Sequence, residues 1–195
     1  ANNLQTLNSG DVLDGKEGLD TLFAQLNNIS LVVPTVSNVE KVQLSAGLAG
    51  GAVFDAAKTT GMIKVENIQS ATPLSVINIG SFLNSGLTVS NAAAGTVLSF
   101  ENSVLSGASD TMVISLDGAS GTDGTIQIGS EADPDGDIEF LTINSSGASS
   151  DLGTGCIDMD EVTGITVDAK ADIDLGSKAS FQALTVLDAS ASVSG

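Results

Sequence analysis

The chain has 195 residues with 24 Asp and Glu against 6 Lys, no Arg and no His, and its formal net charge of -18 repels nucleic acid and anionic membrane surfaces. Hydrophobic residues make up 42%, enough for a core and too many for a disordered tail, but with six Phe, no Trp and no Tyr that core is built from small and branched side chains. The single Cys156 excludes an internal disulfide scaffold and reads as a small core residue, and no apolar run approaches the ~18 residues a membrane helix needs.

Strand-like runs follow one another along the chain. The first is ambiguous: "GLDTLFAQLNN", Gly18 to Asn28, fits two helical turns or a strand after a turn, and a strand is expected. Then come "ISLVV" from Ile29, "VEKVQLSA" from Val39, "MIKVENI" from Met62, "LSVINIGSF" from Leu74, "LTVSNA" from Leu87 and "TVLSFEN" from Thr96. The series continues with "TMVISLDG" from Thr111, "TIQIGS" from Thr125, "IEFLTINSSG" from Ile138, "GITVDA" from Gly164, "DIDLGS" from Asp172 and "ALTVLDAS" from Ala183. Apolar residues alternate with Thr, Ser, Asn, Asp or Gln, the period-2 signature of half-buried strands, and Gly, Ser, Asn and Asp lie between the runs.

This pattern predicts an all-β fold, and a parallel β-solenoid is expected ahead of the alternative, a β-sandwich. Loose echoes such as "SNVEKVQLSAG", "GDIEFLTINSSG" and "QALTVLDASAS" suit turns that stack on one another. Each turn is expected to take roughly 20 to 25 residues. Residues 1–28 are read as a degenerate calcium-roll turn leading into the stack, and residues 29–195 as the solenoid body. Without an initiator Met and with a plain "SASVSG" ending, the chain reads as a fragment of a longer protein.

Carboxylates crowded on a compact body oppose folding unless cations neutralise them, which directs attention to Ca2+. Calcium takes six to eight oxygen ligands at flexible spacing, so Asp or Glu alternating with turn formers is the pattern to seek. "ADPDGDIEF" has it: Asp133, Asp135 and Asp137 stand two apart, Gly136 permits a sharp bend, and Glu139 follows. "DVLDGKEGLDTL" offers Asp11, Asp14, Gly15, Gly18 and Asp20, matching a Gly-Gly-x-Gly-x-Asp-x-apolar-x turn except for Lys16 in the glycine pair. A single copy supplies half a site, since each calcium in such rolls is shared between successive turns. Further candidates are Asp117 and Asp123 around "DGASGTDG", and Asp158 and Asp160 in "CIDMDEVTG", while Asp168, Asp172 and Asp174 read as outward positions on strands.

Catalysis has little to work with: there is no imidazole base, no guanidinium clamp and no aromatic sugar platform. The expectation is no enzyme, with a carbohydrate-active β-helix as the remote alternative, since a glycosidase needs only two carboxylates.

The segment "LNSGDVLDGKEGLDTLFAQL" and the following "VSNVEKVQLSAGLAGGAVFDAAKTTGMIKVENI" resemble bacterial surface-layer proteins and related RTX-like secreted repeat proteins of Gram-negative type, over about the first 70 residues. The resemblance implies an extracellular structural protein at the bacterial cell surface, exported without a cleaved N-terminal signal, stabilised by calcium and self-assembling into a lattice. It implies self as the partner, with cell-surface polysaccharide reached through parts outside this chain, and neither nucleic acid nor membrane insertion. Large adhesins use similar segments, so a stalk or passenger domain of an adhesin is the alternative.

Overall fold

A computed structural model describes residues 5–27, 30–120, 124–134, 136–176 and 181–192. Alternation of apolar and small polar residues gives each segment one face to bury and one to expose. Such segments have no reason to coil, and among the described residues there is no helix. The opening segment is a strand, Thr21–Leu26.

All strand pairs are parallel, so the structure is a β-solenoid of about seven turns and not an antiparallel sandwich. One sheet has eight strands, running from β2 (Thr21–Leu26) through β5 (Lys41–Ala46), β7 (Lys64–Ile68), β9 (Leu87–Ser90), β11 (Thr111–Asp117), β13 (Phe140–Ser145) and β16 (Gly164–Ala169) to β18 (Val186–Asp188). A second has six: β3 (Leu31–Val32), β6 (Ala52–Asp55), β8 (Leu74–Ile79), β10 (Thr96–Phe100), β12 (Ile126–Ser130) and β15 (Ile157–Asp158). Two corners carry short pairs, β1 (Val12–Asp14) with β4 (Thr35–Ser37), and β14 (Ser150–Asp151) with β17 (Ile173–Asp174).

Parallel register places each inward side chain on its counterpart one turn away. Val42, Val65, Leu87, Ile114 and Ile143 form one fully buried column on the long sheet. Phe54, Val76, Leu98 and Ile128 form another on the six-stranded sheet. Both columns belong to one continuous core, and Cys156 is buried, as a small core residue should be. Branched and small side chains fill this narrow interior in layers, which is why the chain manages without Trp or Tyr.

Turn length departs from the expected 20 to 25 residues in the coils that carry two excursions, and returns to it where Phe140 pairs with Gly164 and Gly164 with Val186. Thr21 pairs with Lys41, twenty residues on, and Leu74 with Thr96, twenty-two on, but Thr96 pairs with Ile126 and Ile126 with Ile157, thirty and thirty-one on. The extra length leaves the stack as excursions at 101–110 and 131–139, anchored by the buried Leu105 and Ile138. Among the described residues one bulge interrupts the ladders, in β8, where Asn78 takes the left-handed conformation with φ 55°.

The two ends differ. At the first, residues 5–9 fold over the stack: the Thr6 N–H donates to the Gln25 carbonyl, Ser9 Oγ accepts from the Val33 N–H, and Leu7 is buried. At the other, Leu187 continues the inward column from Ile165, yet it is 64% exposed where Ile165 is 3%.

One polar pair crosses the core. Asn67, inward-facing between Leu44 and Val89 in its column, donates from Nδ2 to Thr96 Oγ1 at 2.7 Å, and both residues are fully buried. This bond ties the long sheet to the six-stranded one. Replacing Thr96 by Val keeps the shape and removes the acceptor, so T96V is expected to lower the unfolding free energy by about 1–3 kcal/mol in a urea titration. An unchanged midpoint would show that the pair does not link the sheets energetically.

Candidate functional site

The acidic residues gather where the chain turns, and one local geometry recurs there. Asp14, Asp55, Asp151, Asp174 and Asp188 each end a strand, and each accepts the backbone N–H two residues on, from Lys16, Ala57, Gly153, Gly176 and Ser190, at 2.8–3.0 Å. A short carboxylate closing a turn on its own backbone is what Asp does well, and it satisfies an amide that the ladder has abandoned. Two of these turns also reach the next coil: Asn38 Nδ2 donates to Asp14 Oδ1 at 2.8 Å and Asn78 Nδ2 to Asp55 Oδ1 at 2.9 Å.

The opening turn is the fullest case. Lys16 occupies the glycine position of the roll-like pattern and adopts φ 72°, a backbone state glycine would take without penalty. Its ammonium pairs with Asp14 Oδ2, so both oxygens of Asp14 are engaged within the structure. Hydrogen bonds from the Lys16 side chain first, then from Asn38 and the Lys16 backbone, lower the exposed Asp14 carboxyl to about 2. Gly15 is required by contact: a Cβ there would come within 2.0 Å of the Asn38 carbonyl oxygen. Asp11 accepts from the Asn8 N–H at 2.8 Å, and Gly18 has φ 132°. Asp20 lines a small cavity of about 160 Å³ with Leu13, Asp14, Gly15 and Val39, and its Oδ2 is buried without a hydrogen-bond partner.

A second arrangement joins neighbouring turns. Glu40 Oε2 accepts the N–H of Asp20 and Glu139 Oε2 that of Asp110, both at 2.7 Å, just before strands of the long sheet; Glu161 Oε2 likewise accepts the Asp137 N–H at 3.1 Å. Register also sets Asp151 directly on Asp174. Acidic residues therefore meet between successive turns, and the Glu carboxylate of each of the first three pairs is held by the backbone N–H of the earlier acid.

In the 131–139 excursion, Asp133 and Asp137 play different parts. The Asp133 carboxylate lies against Gly136, where an added Cβ would meet it at 2.6 Å, and its carbonyl accepts from the Ser130 N–H. Asp137 has φ 70° and is tied to Glu161 on the next turn. Glu139 lines an open cleft of about 470 Å³ with the same Glu161 and with Asp160, Gln182 and Ala183. Asp135 and Asp123 lie outside the described residues. Asp117 accepts the Ala148 N–H at 2.9 Å, Asp158 ends β15, and Asp160 accepts from Gln182 Nε2. Among the described residues no three Asp, Glu, His or Cys side chains converge on one point.

Glu66 is a further acidic centre, outside the acidic clusters of the sequence. It lies on the outer face of β7 with its side chain 10% exposed, accepting from Lys64 Nζ at 2.7 Å and from Gln43 Nε2, with Lys41 Nζ at 3.9 Å. Burial would raise its pKa, but the hydrogen bonds from Lys64 and Gln43 and the two positive charges outweigh it, so the carboxyl lies below its ordinary 4.5. Register makes the cluster: Lys41 stacks on Lys64 and Gln43 on Glu66, twenty-three residues apart.

Two outcomes follow from these assignments. In K16A the Asp14 carboxyl, followed by NMR titration, should move from about 2 toward the ordinary 3.8; a value still near 2 would assign the shift to Asn38 and the backbone alone. A depressed folded pKa gives stability that is present above the unfolded value and lost as pH falls through the folded one. E66Q should therefore be less stable than the parent by about 1–3 kcal/mol at pH 7, with the gap closing as pH falls below 4.5 in chemical denaturation.

No protein-family model, curated protein or solved structure matches this chain.

Proposed function

We propose that this chain is a structural segment of an extracellular, self-assembling bacterial surface layer, stabilised by calcium, and that its work is mechanical continuity and assembly. The observation that carries this reading is the use made of the carboxylates: Asp14, Asp55, Asp151, Asp174 and Asp188 close turns of the stack, and Glu40, Glu139 and Glu161 join one turn to the next. Their chemistry is directed at the protein's own backbone. The resemblance of the first 70 residues to surface-layer and RTX-like proteins supports the same role.

Calcium enters this reading as the counter-ion the stack calls for. Asp20 Oδ2 and Asp168 Oδ1 are buried without hydrogen-bond partners, Asp151 stacks on Asp174, and Glu139, Asp160 and Glu161 share a cleft. Buried acceptors without donors and like charges at one coil's spacing both oppose folding, and a hard cation with a flexible oxygen shell relieves both. Metal held by the folded or assembled form alone stabilises that form by mass action.

The test is a calcium titration read by thermal unfolding and by particle size, with sodium chloride at matched ionic strength beside it. The midpoint should rise and particles should grow in calcium beyond the salt control, and both changes should reverse on chelation. If chelation alters neither quantity, the cation-linked reading is wrong. Calcium-dependent stability without any growth would instead favour the adhesin stalk, which needs the rod but no self-association.

A further inference from the structure

We infer that Lys64, Gln43 and Glu66 form an intramolecular cross-linking site, in which the Lys64 amine displaces ammonia from the Gln43 carboxamide and joins two successive coils by an isopeptide bond. This chemistry is local to β5 and β7 and does not depend on the surface-layer reading.

Glu66 holds both reactants. Its Oε1 accepts from Lys64 Nζ at 2.7 Å and its Oε2 accepts from Gln43 Nε2, so one carboxylate spans the attacking nitrogen and the departing one. Register fixes the arrangement: Gln43 on β5 lies directly beside Glu66 on β7, and Lys64 stands two residues before Glu66 on the same outer face. Glu66 is buried and the Lys64 side chain is 29% exposed, while the following strand sets Thr88 against Glu66 on its other side. Lys41 Nζ, at 3.9 Å from Glu66, is the competing amine and lies beyond hydrogen-bond reach.

Each group has the chemistry its place requires. The resting pair is ammonium and carboxylate. Burial disfavours both charges, and moving one proton from Nζ to Glu66 leaves a neutral amine and a neutral acid. A desolvated, neutral lysine amine is a nucleophile. Its attack on Gln43 Cδ makes the Nζ–Cδ bond, and Glu66 delivers a proton to Nε2 as the Cδ–Nε2 bond breaks. The two protons that the lysine ammonium gives up leave with the amide nitrogen as ammonium, Glu66 ends as the carboxylate it began, and nothing is oxidised or reduced.

The opening turn repeats this connectivity without the burial. Lys16 Nζ and Asn38 Nδ2 donate to the two oxygens of Asp14, but the Lys16 and Asp14 side chains are 77% and 35% exposed, so water keeps the ammonium charged. That turn should stay unbonded and serves as an internal control.

Intact mass of the purified, folded 195-residue chain, followed during incubation, reads the bond. The parent should come to weigh one ammonia less than its sequence, and fragmentation of a digest should join Gln43 to Lys64. The K64R variant keeps the charge and cannot make this bond, so it should hold the full mass while its circular dichroism matches the parent. E66Q should react at least about a hundredfold more slowly, K170R should match the parent, and the parent kept unfolded in urea should hold the full mass. A folded parent that keeps its full mass would overturn the proposal. Equal loss of ammonia from K64R, as an asparagine succinimide would give, or a bond found at Lys41 or between Lys16 and Asn38, would overturn it as well.

Discussion

Everything in this molecule depends on parallel register between turns. Once β2 pairs with β5 and β5 with β7, each residue must tolerate as its neighbour whatever lies one coil further along the chain. For apolar residues this is favourable without further provision, and Val42, Val65, Leu87, Ile114 and Ile143 simply stack. For polar residues it is demanding. A side chain such as Asn67 in an inward column needs a partner across the core, and it finds Thr96 on the opposite sheet.

The same constraint explains how an acidic chain builds so regular a body. A carboxylate repeated at every turn would form a column of like charge. Asp14, Asp55, Asp151, Asp174 and Asp188 instead sit at strand ends, where the backbone leaves the ladder and offers free N–H groups, and there each meets a backbone donor. Where two acids do coincide in register, as with Asp20 and Glu40 or Asp110 and Glu139, the later one reaches back to the backbone of the earlier. Lysine is used sparingly and at particular points: Lys16 settles on Asp14 in the opening turn, and Lys64 with Lys41 holds the largely buried Glu66. Solenoid stability and acidity are thereby one problem, and the cation-linked surface-layer reading proposed above is a solution to it.

The architecture was readable in the sequence because period-2 alternation and turn residues are local signals. Every strand-like run from Ile29 to Ser190 contains a strand, and the opening Thr21–Leu26 segment is one as well. Strands β1, β4, β14 and β15 escaped because they are two or three residues long, too short to show a period, and β6 because its AVFD run hides among alanines and glycines. Turn length was legible for the early coils and for the last ones on the long sheet, but not between, since nothing in the composition marks 101–110 and 131–139 as departures from the stack. The acidic groups were visible as clusters with near partners such as Lys16 for Asp14 and Lys64 for Glu66, but further partners lie twenty or more residues away: Glu161 for Asp137, Asn38 for Asp14, Lys41 for Glu66. A sequence read along its length shows neighbours on the chain, whereas a solenoid's electrostatics is decided by neighbours one coil apart.

Residue-resolved amide hydrogen exchange at pH 7 in calcium tests most directly whether the carboxylates are working parts of the stack. The N–H groups of Lys16, Ala57, Gly153 and Gly176, all donating to Asp side chains in surface turns, should be protected to a degree that approaches the strand amides beside them. Exchange of these four at the rate of open chain, with the strands still protected, would mean that the carboxylates face solvent and that the stack is held by its ladders and core alone.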